Sequence, residues 1–221
     1  MKKLVIKEGK TIRRRVHDYL REQLLRGEFP PHQRLIETKI AQEIGVSRTP
    51  VREALHSLEL EGLIKSIPRV GYAVKPISEE ELEEICEIRA ANECLAARWA
   101  VKRITPKELQ ALEKNLSVSE AEVRRGSPRS FVERDAEFHE ILARASGSDR
   151  LLELCQMLRR HMLRYRIESI FREGSALQAI EGHQRIVDCL KKKDEEGVDR
   201  AIRNHLETSK RDIQRYVFGE D

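Results

Sequence analysis

The 221 residues are 36% charged and 5% aromatic, with Leu, Ile, Ala, Glu, Arg and Lys predominating, so the expected fold class is mainly α. The net charge of +4 is unevenly spread: residues 1–75 hold 16 Lys and Arg against 9 Asp and Glu, residues 76–221 hold 26 against 29, and a polyanion is expected at the basic first third. No apolar run approaches the ~18 residues that span a bilayer, residues 1–10 lack a signal-peptide core, and Cys86, Cys94, Cys155 and Cys189 form no CxxC pair, which argues against a membrane protein, a disulfide framework or a thiolate zinc site and for a reducing cytoplasm.

After a short basic arm, residues 12–26 put Ile12, Val16, Leu20 (or Tyr19) and Leu24 on one helical stripe, ended by Gly27 and Pro30-Pro31. A shorter helix over 38–44 stops at Gly45. In "SRTPVREALHSLELEG" Ser47 or Thr49 can cap a third helix reaching 61, with Pro50 in its first turn, where a missing N–H costs nothing. "LIKSIPRVGYAVKPI" reads as a hairpin of strands 63–67 and 72–74 around a turn holding Pro68 and Gly71. From Ser78 onward only helices are expected, over 78–102, 105–126, 130–145, 149–172, 175–192 and 195–217, the first two opened by capping boxes at Ser78/Glu81 and Thr105/Glu108. The chain thus divides into an N-terminal winged helix-turn-helix, residues 1–75, and a C-terminal all-helical bundle, residues 76–221, joined by the short hinge "KPIS".

A helix-turn-helix needs a small residue in its first helix, a glycine in the turn and an apolar residue inside the second; Ala41, Gly45 and Val51 meet those needs in order. Ile40, Ile44, Val46, Leu55 and Leu58 then fill the core, leaving Ser47, Arg48, Thr49 and Arg52 outside at the helix start, where side chains reach base edges or phosphates. Arg69 at the hairpin tip is placed for a minor groove or a phosphate, with Gly71 allowing close backbone approach. The competing reading is a module for protein contact with its arginines merely solvated.

In "RDAEFHEIL" Asp135 and His139 lie one helical turn apart, on the same inward stripe as Phe131, Phe138 and Leu142. His183 shares a stripe with Ile180, Ile186, Val187 and Leu190, and His205 one with Val198, Ala201 and Ile202. One carboxylate and three imidazoles pointing into one bundle suit a divalent transition metal such as zinc, nickel, iron or copper, zinc or nickel foremost, and a six-coordinate ion would keep positions for water or a small carboxylate. From spacing alone a buried ion pair with two satisfied core histidines remains open. His161, on a stripe with Leu154, Leu158 and Tyr165, is a lining residue outside that set.

"GEFPPHQRLIETKIAQEIGVSRTPVREALHSLELEGLI" followed by "PRVGYAV" closely resembles the GntR family of bacterial transcription regulators over residues 12–74. By that resemblance Ser47, Arg48, Thr49, Arg52 and Gly71 correspond to operator-contacting positions; the family's arginine near the start of the second helix is replaced by Thr38, and that contact is not carried over. Residues 78–217 resemble the FCD-type effector domain of the FadR branch. There a D-x-x-x-H pair and two later histidines bind the metal, matching Asp135, His139, His183 and His205. Arg89 matches an arginine that approaches a bound carboxylate, although a plain helical pair with Glu93 is the alternative. The resemblance implies a homodimeric, ligand-responsive repressor of double-stranded operator DNA with a small carboxylate effector and no enzymatic activity. The alternatives are a metalloenzyme carrying a DNA-targeting module, for which no general base stands out beside the four ligands, and a regulator whose signal is the metal itself.

Overall fold

Two runs of hydrophobic periodicity, one mixed and one purely helical, condense into two separate units, Met1–Ile77 and Ser78–Asp221. The computed structural model describes residues 11–25, 28–76, 78–126, 128–170 and 175–219. The basic arm, the expected stop at Gly27 and Ile77 in the "KPIS" join lie outside these residues.

In the first unit the order is α1 (Ile12–Leu25), β1 (Arg34–Leu35), α2 (Glu37–Ile44), α3 (Arg48–Leu60), β2 (Ile64–Ile67) and β3 (Gly71–Val74). Val16 and Leu20 of α1 are fully buried against Val51, Ala54, Leu55 and Leu58 of α3, whereas Ile12, placed on the same stripe by the sequence, is 47% exposed. The helix-turn-helix forms as expected. Ala41 is buried, its carbonyl accepts the N–H groups of both Gly45 and Val46, and Gly45 takes φ +76°, a left-handed conformation without penalty for glycine. Ser47 is the N-cap of α3 in backbone geometry, but its hydroxyl makes no capping bond, and Thr49 already lies inside the helix. The expected side-chain cap is therefore absent.

The sheet has a strand that the sequence reading missed. β1 pairs antiparallel with β3, giving the order β1-β3-β2, so the wing is three-stranded. Pro68 and Arg69 occupy the centre of a turn closed by Val70 N–H donating to the Ile67 carbonyl at 3.0 Å; Arg69 has φ +65°, the left-handed geometry of the third position of a type II turn. Gly71 is demanded by the sheet itself, because at φ +128° an added Cβ would sit 3.0 Å from the Leu35 carbonyl oxygen.

His17 locks α1 to the end of α3. It is buried, its Nε2 lies 2.6 Å from Glu61 Oε1, and Arg21 Nε donates to Glu61 Oε2 at 3.0 Å. The Glu61 contact, against the opposing cost of burial, raises the imidazole above its ordinary value of 6.5. A raised folded pKa means that the contribution is fully present below that ordinary value and is lost as pH rises through the folded one. Resistance to urea, followed by circular dichroism, is expected to fall over that window in the parent and to fall less in His17→Asn; equal pH dependence in both would refute the assignment.

The second unit contains α4 (Glu79–Arg103), α5 (Pro106–Arg124), α6 (Pro128–Ala145), α7 (Asp149–Ile170), α8 (Ser175–Lys192) and α9 (Glu195–Ile213), the last continuing as a π-helical turn over Gln214–Phe218. Thr105 and Glu108 form the full capping box. At α4 only half of one forms: Ser78 Oγ accepts the Glu81 N–H, but Glu81 Oε2 lies 3.1 Å from the buried Tyr165 hydroxyl, which itself accepts the Ser78 N–H. Tyr165 thus replaces the reciprocal half of the box. Phe131, Phe138, Ile186, Val187, Val198 and Ile202, all fully buried, hold α6, α8 and α9 in one core with α4 and α5. Leu154, grouped with His161 by periodicity, is instead 42% exposed, whereas Leu158 and Tyr165 point inward. The four cysteines are free, and burial pushes the Cys94 and Cys155 thiols up to about 12, so neither is a nucleophile. Among the described residues no helix is long and apolar enough to cross a membrane.

Candidate metal centre and DNA-reading surface

The stripes that bury α6, α8 and α9 carry their polar exceptions to one place. Asp135, His139, His183 and His205 are all buried, and one potential ligand atom from each lies within 4.8 Å of the others. His139 Nε2 and His183 Nε2 face each other at 3.2 Å, and Asp135 Oδ1 stands 3.5 Å from His183 Nε2. Phe138 stacks on the His183 ring at 4.0 Å and 9° between planes, fixing its orientation. Rings held this rigidly present lone pairs without further ordering cost.

Three residues around this cluster were not found by sequence reasoning. Glu93 Oε2 meets His139 Nδ1 at 2.7 Å, at an angle short of a hydrogen bond, and neither atom has another hydrogen-bond partner among the described residues. A proton on Nδ1 turns the Nε2 lone pair toward the other imidazoles, the tautomer a metal ligand needs. Arg159 donates to Asp135 Oδ2 at 2.8 Å, so Asp135 is fixed through one oxygen while the other faces the histidines. Gly182, one residue before His183, has no side chain where a Cβ would lie 2.7 Å from His205 Nδ1. The His205 ring occupies the space that any other residue at 182 would fill. Three imidazoles, one carboxylate, a second carboxylate beside His139 Nδ1 and a cradle for the His205 ring fit a divalent transition metal.

Arg89 is buried, and its Nη2 and Nε lie 2.8 and 2.9 Å from Glu93 Oε1. The helical pair kept open by the sequence is therefore formed, inside the bundle. Burial alone would raise the Glu93 carboxyl, yet Arg89 and then His139 hold it well below the usual carboxylate range. Burial followed by the nearby Arg159 charge keeps His139 below its ordinary value, so this imidazole is neutral. Glu93 is the acid beside the ligands that the sequence did not disclose, and the Arg89 guanidinium paired with it makes it a poor general base.

In the first unit Ser47, Arg48, Thr49, Arg52 and Arg69 are exposed, and Gly71 is half-buried in the sheet. Arg48 and Arg52 share a further residue missed in the sequence: Glu37 at the start of α2 places both carboxylate oxygens 3.2 Å from Arg52 Nε and one 3.5 Å from Arg48 Nη2.

A helix-turn-helix with a wing, followed by a helical unit with a buried carboxylate–imidazole cluster, is the architecture of a DNA-binding regulator. Residues 12–74 match the family of bacterial regulatory proteins called gntR, and residues 84–208 match the FCD domain. The chain belongs to the GntR family and carries an FCD domain. It is 30% identical over 191 residues to the uncharacterized HTH-type transcriptional regulator YdhC of Bacillus subtilis, covering 86% of this chain and 85% of that one. It is 29% identical over 196 residues to the HTH-type transcriptional repressor RspR of Escherichia coli, covering 89% and 86%. The solved structure of E. coli McbR/YncC superimposes with a TM-score of 0.73 at 27% identity, over 90% of this chain and 95% of that one. These proteins are regulators, and the chain is a transcription regulator rather than an enzyme.

Proposed function

We propose that this regulator is a cytoplasmic, homodimeric repressor of the FadR branch, with residues 1–75 reading operator DNA and residues 76–221 binding a divalent transition metal and a small carboxylate. Zinc or nickel is held by Asp135, His139, His183 and His205; bound there, it supplies a Lewis-acidic centre for an anionic effector. The observation that carries the reading is the burial of those four side chains with their ligand atoms within 4.8 Å. Charge balance supports it. Arg89 and Arg159 offset Glu93 and Asp135, and imidazoles that ligate a metal are neutral, so a divalent ion leaves an excess of two positive charges that a carboxylate would offset in a dry interior.

Ile88 and Trp99 of α4 and Leu154 and Met157 of α7 are large apolar side chains left exposed on two helices that pack together. They form the twofold contact, which would place two reading helices on the half-sites of a pseudo-palindrome. The effector releases DNA only if it binds the free dimer more tightly than the DNA-bound one; a tenfold difference is about 1.4 kcal/mol of coupling. The test is a panel of small carboxylates added to the metal-loaded protein, read by thermal unfolding. At a hundred times its Kd an effector stabilises the folded state by about 2.7 kcal/mol. The rise in midpoint is expected to disappear when a chelator strips the metal. A panel that leaves the midpoint unmoved with metal bound would remove the effector from this reading.

A further inference from the structure

We propose that Glu37 is a specificity-determining residue, which holds Arg52, and more loosely Arg48, for base edges and against phosphates. The inference rests on the reading of Arg48 and Arg52 as DNA-contacting residues. Glu37 is the first residue of α2, and Arg52 lies on the second turn of α3, so the two helices bring together groups fifteen residues apart. Both carboxylate oxygens sit 3.2 Å from Arg52 Nε, the rear edge of the guanidinium. The two terminal nitrogens, which form the fork that fits guanine O6 and N7, make no hydrogen bond to a described residue.

Stability does not account for this arrangement. Arg48 and Arg52 are 59% and 60% exposed at their side chains, and ion pairs so open to water contribute little to folding. What the carboxylate changes is the field at the reading surface. A fixed negative charge on the face turned toward DNA opposes every phosphate, whatever the sequence. Arg52 can reach a guanine with its terminal nitrogens while Nε stays paired, whereas a phosphate brought to the same nitrogens also meets the Glu37 charge. Non-specific binding is thereby weakened more than specific binding, and the torsions of Arg52 are set before the base is met. Glu37 is a positioning residue: it touches the arginines and not the base.

The experiment uses the full metal-loaded chain. The parent selects its preferred sequence from a random duplex library, and affinities for that duplex and for a scrambled one are measured over a range of salt for parent, Glu37→Gln and Glu37→Asp. Glu37→Gln keeps the shape and removes the charge. It is expected to bind the scrambled duplex more tightly, with a salt slope steeper by about one, and to lose about tenfold in the ratio of selected to scrambled affinity. Glu37→Asp retains the charge with a shorter reach; it is expected to keep the weak binding to the scrambled duplex yet lose affinity for the selected one. Unchanged unfolding midpoints separate these effects from loss of fold. A ratio for Glu37→Gln equal to the parent's, including an equal gain on both duplexes, overturns the proposal. A parent that selects no sequence overturns the DNA-contact reading beneath it, and the proposal with it.

Discussion

The purified protein is expected to carry about one divalent transition metal per chain by elemental analysis, and the His183→Ala, His205→Ala double variant is expected to carry none. The double variant removes the imidazoles from α8 and α9 and leaves only Asp135 and His139, one turn apart on α6. Two ligands from one helix cannot complete the four-donor set that confers tight binding. A milder variant separates ligand loss from misplacement. Gly182→Ala leaves all four donors in the chain but sets a methyl 2.7 Å from His205 Nδ1, so the ring or helix α8 must shift. Its metal affinity, measured by competition with a chromophoric chelator, is expected to fall by about 10- to 100-fold, the range seen when support around a metal ligand is lost. Should parent and double variant both lack metal after incubation with zinc and nickel, Asp135 with its three histidines is a buried polar network, and the effector reading loses its anchor.

The parts legible beforehand are those in which one helix face decides the outcome. Phe131, Asp135, Phe138, His139 and Leu142 recur at helical spacing, so a polar pair on that stripe is bound to enter the core, as His183 does among Ile180, Ile186, Val187 and Leu190. Ala41, Gly45 and Val51 are legible because close helix crossing restricts residue size locally. The features left open or missed depend on distance through space. Arg89 and Glu93, four apart, look the same in sequence whether they sit on a solvated face or beside His139; only the packing of α4 against α6 distinguishes the two. Gly182 reads as a mid-helix glycine until His205, from another helix, is seen in the space above it. Glu37 carries no sign in sequence of the arginine fifteen residues later. β1, two residues long, is too short for any alternation to register, and is fixed by its pairing with β3. Ser47 has the right residue type and backbone for a cap, yet residue type does not dictate where its hydroxyl points.

Arg52→Ala is expected to weaken binding to the selected operator by about 1–3 kcal/mol, roughly 5- to 150-fold, and to relax the preference at one base pair of each half-site. The side chain is 60% exposed and its ion pair with Glu37 is open to water on the arginine side, so truncation leaves the core of Val51, Leu55 and Leu58 intact and the unfolding midpoint nearly unchanged. Metal content is likewise expected to be unaffected, since the cluster belongs to the other unit. Arg52→Lys gives the sharper discrimination. A lysine keeps the charge, and with it most of the phosphate attraction, but has no planar fork for guanine O6 and N7. If Arg52 reads a base, Lys at 52 loses nearly as much operator affinity as Ala while keeping the parent's salt dependence. If it only neutralises a phosphate, Lys restores binding and Ala lowers the salt slope by about one with no change of base preference. Operator affinity equal to the parent's in both variants would take Arg52 off the reading surface altogether, leaving Arg48, its neighbour one turn earlier on α3, as the arginine positioned for the bases.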